Sequence, residues 1–86
     1  MRAVQVYYTA FDVAFFKLPS AVQSRIQARI DEMGLRLGEF PHHRLKGMNR
    51  YRVRVGDYRL IYTFDVEKNE IYLLAVGHRR EIYRGI

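Results

Sequence analysis

At 86 residues the chain falls below the roughly 100–150 residues typical of a single-core domain, so one domain over residues 1–86 is expected and a second is excluded. Its 49% hydrophobic content, with seven Tyr and five Phe, excludes the aromatic-poor composition of disordered chains, and the lack of cysteine excludes disulfides, thiol nucleophiles and thiolate metal sites. The net charge of +6 is unevenly placed: residues 1–43 hold five Lys/Arg against four Asp/Glu, and residues 44–86 hold ten against five. The positive field of the second half is either a solvated surface or the face shown to a polyanion.

No apolar run approaches the ~18–20 residues of a membrane span. The start MRAVQVYYTAF has neither the apolar core nor the small-residue cleavage site of a signal peptide. The chain reads as soluble and cytoplasmic. A domain of this size buries only about 60% of its unfolded surface, so a partner covering an apolar patch would add stability.

Residues 2–9 carry Val4, Val6, Tyr7 and Tyr8 in an extended run that predicts a strand. Thr9 stands three residues before Asp12, the spacing of a capping box, ahead of a short apolar helix that runs through Leu18 and ends at Pro19. Ser20 restarts a helix in which Val22, Ile26, Ile30, Met33 and Leu37 form one apolar stripe, with Gly38 as its stop. That stripe is a face for packing on a sheet.

Past the loop around Glu39 to His43, helical periodicity gives way to alternation. Tyr51-Arg52-Val53-Arg54-Val55, then Gly56-Asp57, then Tyr58 to Phe64 is a hairpin pattern, and Gly first in a two-residue loop suits a type II′ turn. The register then opposes Val55 with Tyr58, Arg54 with Arg59, Val53 with Leu60 and Arg52 with Ile61. Arg52, Arg54 and Arg59 share one face, and Tyr51, Val53, Val55, Tyr58, Leu60, Tyr62 and Phe64 the other, under the helices. Residues 66–69 form a second loop before a last strand from Ile71 to Val76. Strict alternation from an Asp65–Glu70 pair puts Tyr72, Leu74, Val76 and His78 on the arginine face. The expected class is α+β in the order β-α-α-β-β-β, mainly antiparallel, with both helices on one side.

Opposed like charges weaken a hairpin, so the Arg54–Arg59 pair favours an expected anion. Guanidinium groups bind phosphate through paired hydrogen bonds and tyrosines stack on bases, although arginine stems also cover exposed sheet edges. Cutting a strand through a neighbouring 2′-hydroxyl needs a base, an acid and cations for the extra phosphate charge. Arginine, with a pKa above about 12, supplies the cation. The proton carriers on offer are His78 and Tyr83, with His42 and His43 in the earlier loop. The carboxylates make no acid pair and no metal set, so neither a metal nor a cofactor is expected.

Three stretches, Arg44-Leu45-Lys46-Gly47, Tyr51 through Tyr62 and Val76-Gly77-His78-Arg79-Arg80-Glu81-Ile82-Tyr83, together resemble the RelE side of the RelE/ParE toxin superfamily over nearly the whole chain. The resemblance implies a RelE-like fold. It also implies a type II toxin that cuts mRNA in the ribosomal A site without metal, inhibits translation, and is silenced by a small RelB-like antitoxin encoded beside it, with a heterotetramer as one available assembly. It implies that Arg59 holds the scissile phosphate, Arg79 supports the leaving group and Tyr83 orients or deprotonates the attacking hydroxyl. Lys46, Arg52 and Arg54 take the family's basic RNA-binding positions, and His78 is a second choice for proton transfer.

Two features depart from that pattern. Arginine at 52 and 54, where lysine is common, keeps the charge but not an easily deprotonated amine. The chain stops at Ile86, short of the C-terminal helix of some relatives, which would leave an apolar groove for the antitoxin. Two other readings are kept. ParE-like relatives poison DNA gyrase and generally lack the late arginine and tyrosine present here as Arg79 and Tyr83. The third reading is a non-catalytic RNA- or ribosome-binding module.

Overall fold

The structure is a computed structural model that describes residues 1–82. The expected hairpin forms between β3 (Tyr51–Val55) and β4 (Tyr58–Asp65), in the register read from the turn, with Arg54 opposite Arg59 and Val53 opposite Leu60. Gly56 takes φ +58° while Asp57 stays at negative φ, so only the first central residue is left-handed, as a type II′ turn requires. The second loop closes between Asp65 and Glu70, where the Asp65 carboxylate accepts the Lys68 N–H at 3.0 Å and Asn69 adopts φ 54°. The last strand, β5 (Glu70–His78), runs antiparallel to β4.

β1 (Val4–Tyr7) lies on the other side of β5 and runs parallel to it, with Val4 level with Glu70 and Tyr7 with Leu73. A two-residue strand not expected from the sequence, β2 (His43–Arg44), pairs antiparallel with Arg52 and Tyr51. The sheet order is therefore β1-β5-β4-β3-β2. The element order matches the expectation with that one short strand added.

α1 (Thr9–Phe15) begins directly at the end of β1. Its N-cap is Tyr8, whose own N–H still bonds the Leu73 carbonyl at 3.0 Å, so the Thr9–Asp12 capping box does not form. The helix also ends at Phe15, before Leu18. α2 (Ser20–Leu35) stops short of Gly38 because the Gly34 carbonyl accepts the Ala3 N–H at 3.0 Å and Arg36 leaves helical backbone. Leu37 is buried all the same, so the apolar stripe outlasts the helix.

Ile26, Ile30 and Met33 of α2 and Phe11 and Phe15 of α1 close over Val53, Val55, Leu60, Tyr62, Ile71, Leu73 and Val76. At the edge, Asp31 accepts from the amides of Gln5 at 2.8 Å and Gln27 at 3.0 Å, which ties β1 to α2 and lowers the Asp31 pKa.

One expectation about β5 is corrected. Ile61 pairs with Ala75 but its neighbour Tyr62 pairs with Leu73, so Leu74 is an extra residue, a β-bulge. The extra residue reverses the alternation beyond it. Val76 faces Leu60 in the core and His78 faces Tyr58, so neither lies on the arginine face.

His42 holds the segment before β3 in place. Its Nε2 bonds the Leu37 carbonyl oxygen at 2.8 Å, which cannot donate, so Nε2 carries the hydrogen and Nδ1 accepts the Tyr62 hydroxyl at 2.6 Å. The ring stacks on Phe64 at 3.9 Å. Burial, reinforced by Tyr51, raises the Tyr62 pKa.

His42→Leu strands the buried Tyr62 hydroxyl, and a urea unfolding curve should show a loss of about 1–3 kcal/mol, part of it recovered when Tyr62→Phe is added. Because the folded-state pKa of Tyr62 is raised, its contribution is complete below the ordinary tyrosine pKa of about 10 and is lost as pH rises above it. Alkaline unfolding of Tyr62→Phe should accordingly be less steep.

Candidate nucleic-acid interface

On the sheet face away from the helices, strand pairing brings the predicted residues into two rows. Arg54, Arg59 and Gly77 stand side by side, and one step further from the hairpin tip come His43, Arg52, Ile61 and Ala75. No carboxylate is opposed to Arg52, Arg54 or Arg59. Lys46 lies in the β2–β3 turn beyond the second row, where Gly47 takes φ 73°. Arg79 stands at the hairpin tip, its N–H bonded to the Asp57 carbonyl at 2.7 Å and its side chain exposed, with Nε 3.9 Å from Asp57 Oδ1. The cationic residues thus follow β3 from end to end, about 17 Å for five residues at ~3.3 Å each.

The opposed arginines behave differently. Arg54 is exposed, whereas Arg59 keeps only 9% of its surface and donates from Nη1 to the carbonyls of Gly56 at 3.0 Å and Tyr58 at 2.9 Å. Carbonyl dipoles thus offset part of the repulsion. Gly77, opposite Arg59, leaves room that a side chain would occupy: a Cβ there would meet Ile82 Cδ1 at 3.4 Å. The turn after β5, held by the N–H groups of Glu81 and Ile82 on the His78 carbonyl, therefore folds back beside Arg59.

His78 sits with Tyr58 at 5.7 Å, edge to face, and its Nδ1 accepts the Arg80 N–H at 3.2 Å. It braces the terminal turn from the helix side of the sheet. Tyr83 lies outside the described residues. Tyr72 does share the arginine face, but its hydroxyl donates to Glu70 Oε1 at 2.6 Å, which pushes its pKa up to about 12 and keeps it a phenol near neutrality.

Two residues were not singled out from the sequence as part of this surface. His43 joins it through the pairing of β2, which two residues are too few to announce by alternation. Arg25 of α2 brings its guanidinium to the hairpin tip, where a Cβ on Gly56 would lie 2.9 Å from Nη2; a bare glycine there is the one sequence signal of that approach. Among the described residues no group of His, Asp and Glu is placed to hold a metal ion. No helix among them is long and apolar enough to cross a membrane.

The profile of the ParE toxin of type II toxin–antitoxin systems (parDE) matches residues 10–83. The chain belongs to that toxin family. Its fold is that of the RelE toxins within the RelE/ParE superfamily. The RelB–RelE complex from Methanococcus jannaschii superposes with TM-score 0.72 at 27% identity, covering 94% of this chain and 98% of that one. The archaeal RelE–RelB complex from Pyrococcus horikoshii gives 0.73 at 25% over 94% and 99%. The intact Escherichia coli RelBE complex gives 0.76 at 22% over 88% and 95%. No protein of curated function matches in sequence.

Replacing Arg54 removes a like-charge contact from the sheet. Arg54→Thr should raise stability to urea by about 0.2–1 kcal/mol at low salt, with a smaller gain at high salt, while weakening binding to single-stranded RNA. Paired unfolding and binding titrations at two salt concentrations test both signs.

Proposed function

We propose that this toxin is a metal-independent, ribosome-dependent endoribonuclease that cuts mRNA in the A site. The observation that carries the reading is the Arg54–Arg59 row on the sheet face away from the helices, continued by Arg52 and Lys46 on one side and Arg79 on the other. A solvated surface gains nothing from opposed arginines, whereas a phosphate between them turns their repulsion into two charge-assisted contacts.

In this reading Arg59 leaves the Gly56 and Tyr58 carbonyls to hold the scissile phosphate, and Arg54 and Arg52 carry its neighbours. The 2′-oxygen attacks phosphorus, the bond to the 5′-oxygen breaks, and Arg79 balances charge on the leaving side while Tyr83 orients the attacking hydroxyl. The partner is a small RelB-like antitoxin, with a toxin–antitoxin heterotetramer as one assembly. The support for it is the RelB-bound state of the similar structures and the exposed Tyr7 and Phe16, which line a cleft of about 380 Å³ with Phe11 and Phe15. The matching profile is named for ParE, and gyrase poisoning is the second reading.

Purified protein added to a translating extract, with 5′-end mapping, separates these readings. Codon-positioned cuts are expected. Gyrase–DNA cleavage complexes would replace the proposal with the second reading, and stalled translation on intact message would mean an RNA- or ribosome-binding module. Arg59→Ala and Arg79→Ala should each lower cutting by roughly 10²-fold or more with thermal unfolding little changed. Undiminished cutting by both removes the site assignment. Tyr83→Phe should slow cutting, and full activity would show its hydroxyl to be dispensable.

A further inference from the structure

We propose that His43 is the base that takes the 2′-hydroxyl proton from RNA lying along the arginine face; the role rests on the RNA-cleaving reading above. The chain has three histidines. His42 has both ring nitrogens engaged, with Leu37 and Tyr62, and His78 is on the Tyr58 side with Nδ1 accepting from Arg80. His43 is exposed and pairs through its backbone with Arg52 on the arginine face, and its ring makes no hydrogen bond or ion pair among the described residues. It is the described imidazole that is both unoccupied and turned to the phosphate-binding rows.

Its surroundings fit a strand of RNA. His43 lines a cleft of about 370 Å³ with Arg29, Pro41, Arg52, Val53 and Arg54, open where β2 ends and the outer edge of β3 is left uncovered. The charged groups lining that cleft with it are Arg29 from α2, ion-paired to Glu32 at 2.6 Å, and Arg52 and Arg54 from β3. No carboxylate is among the lining residues to compete for the cations.

Position supplies the role. A phosphate held between Arg54 and Arg59 has Arg79 toward the hairpin tip and His43 and Arg52 on the side away from it. Attacking and leaving oxygens lie roughly in line through phosphorus. With Arg79 on the leaving side, the attacking 2′-oxygen falls on the His43 side. His43 stands two strands from Arg59 and one row further from the hairpin tip, about 12 Å away at ~4.8 Å per strand and ~3.3 Å per residue, a gap that a phosphate, its ribose and the reaching side chains fill. The step balances as follows: the 2′-hydroxyl proton passes to the His43 ring, the 2′-oxygen bonds phosphorus, the bond to the 5′-oxygen breaks, and water protonates the departing oxygen. The products are a 2′,3′-cyclic phosphate and a 5′-hydroxyl, and His43 returns its proton to solvent.

The test is single-turnover cutting of message on programmed ribosomes, comparing wild type, His43→Gln, His43→Ala and Arg59→Ala across pH. Wild type should gain rate as pH rises, because a general base works only in its unprotonated form. His43→Gln should cut about 10²–10⁴-fold more slowly with a flattened profile, unchanged ribosome affinity and unchanged thermal unfolding. Added imidazole should restore part of the rate to His43→Ala and none to Arg59→Ala. Cutting by His43→Gln at the wild-type rate, or a loss confined to affinity, overturns the role and leaves the endoribonuclease reading standing. A wild type that cuts no message overturns both.

Discussion

The burial of the helix-facing side chains of β4 and β5 is the constraint on which the rest of the structure depends. Leu60, Tyr62, Ile71 and Leu73 are wholly covered by side chains from α1 and α2, each at 0% exposure. At about 1.5–3 kcal/mol for each large apolar side chain buried, a one-residue slip that turned this set outward would cost as much as the whole stability of a small domain. The residues that alternate with this set, Arg59 among them, fall on the other face. The arginines are therefore aligned by the core behind them and need no mutual attraction to hold their places.

The bulge at Leu74 follows from the same constraint. Leu73 and Val76 are both buried, and residues three apart cannot share a face of a regular strand, so one residue must be left out of the ladder. Alternation applied strictly carries Val76 and His78 to the wrong side for this reason. The β3–β4 register was legible because Gly56-Asp57 sets its turn and every second residue up to Tyr62 is apolar. The α2 stripe was legible in the same way, although its end was not, since Ala3 captures the Gly34 carbonyl from the far end of the sequence. The missed capping box has a similar cause: Tyr8 serves β5 and α1 at once. Arg52, Arg54 and Arg59 could be placed on one surface from local pattern alone. His43 reaches it through a strand too short to show alternation, and Arg25 through a contact with Gly56 far along the chain, which local pattern does not encode.

The arginine face shows how a fold accommodates charge that does not help it fold. Arg59 is satisfied by two backbone carbonyls and Arg54 by water, so neither depends on a ligand. Both can be drawn away at modest cost, because a neutral carbonyl is a weaker partner for guanidinium than a phosphate. The solved RelE relatives share the architecture at 22–27% identity.

The parallel pairing of β1 with β5 bears on when the molecule can assemble. Residues 4–7 find their hydrogen-bond partners only at residues 70–73, and α1 packs chiefly on β5 as well. Closing so long a loop carries an entropy cost that local hairpins avoid, so β3, β4 and β5 are suited to form first and the amino-terminal strand and helix to dock afterwards. A nascent chain lacking its last strand offers its first one no sheet partner. The order of synthesis thus delays completion of the sheet, and of any activity built on it, until residues 70–78 have left the ribosome that made them.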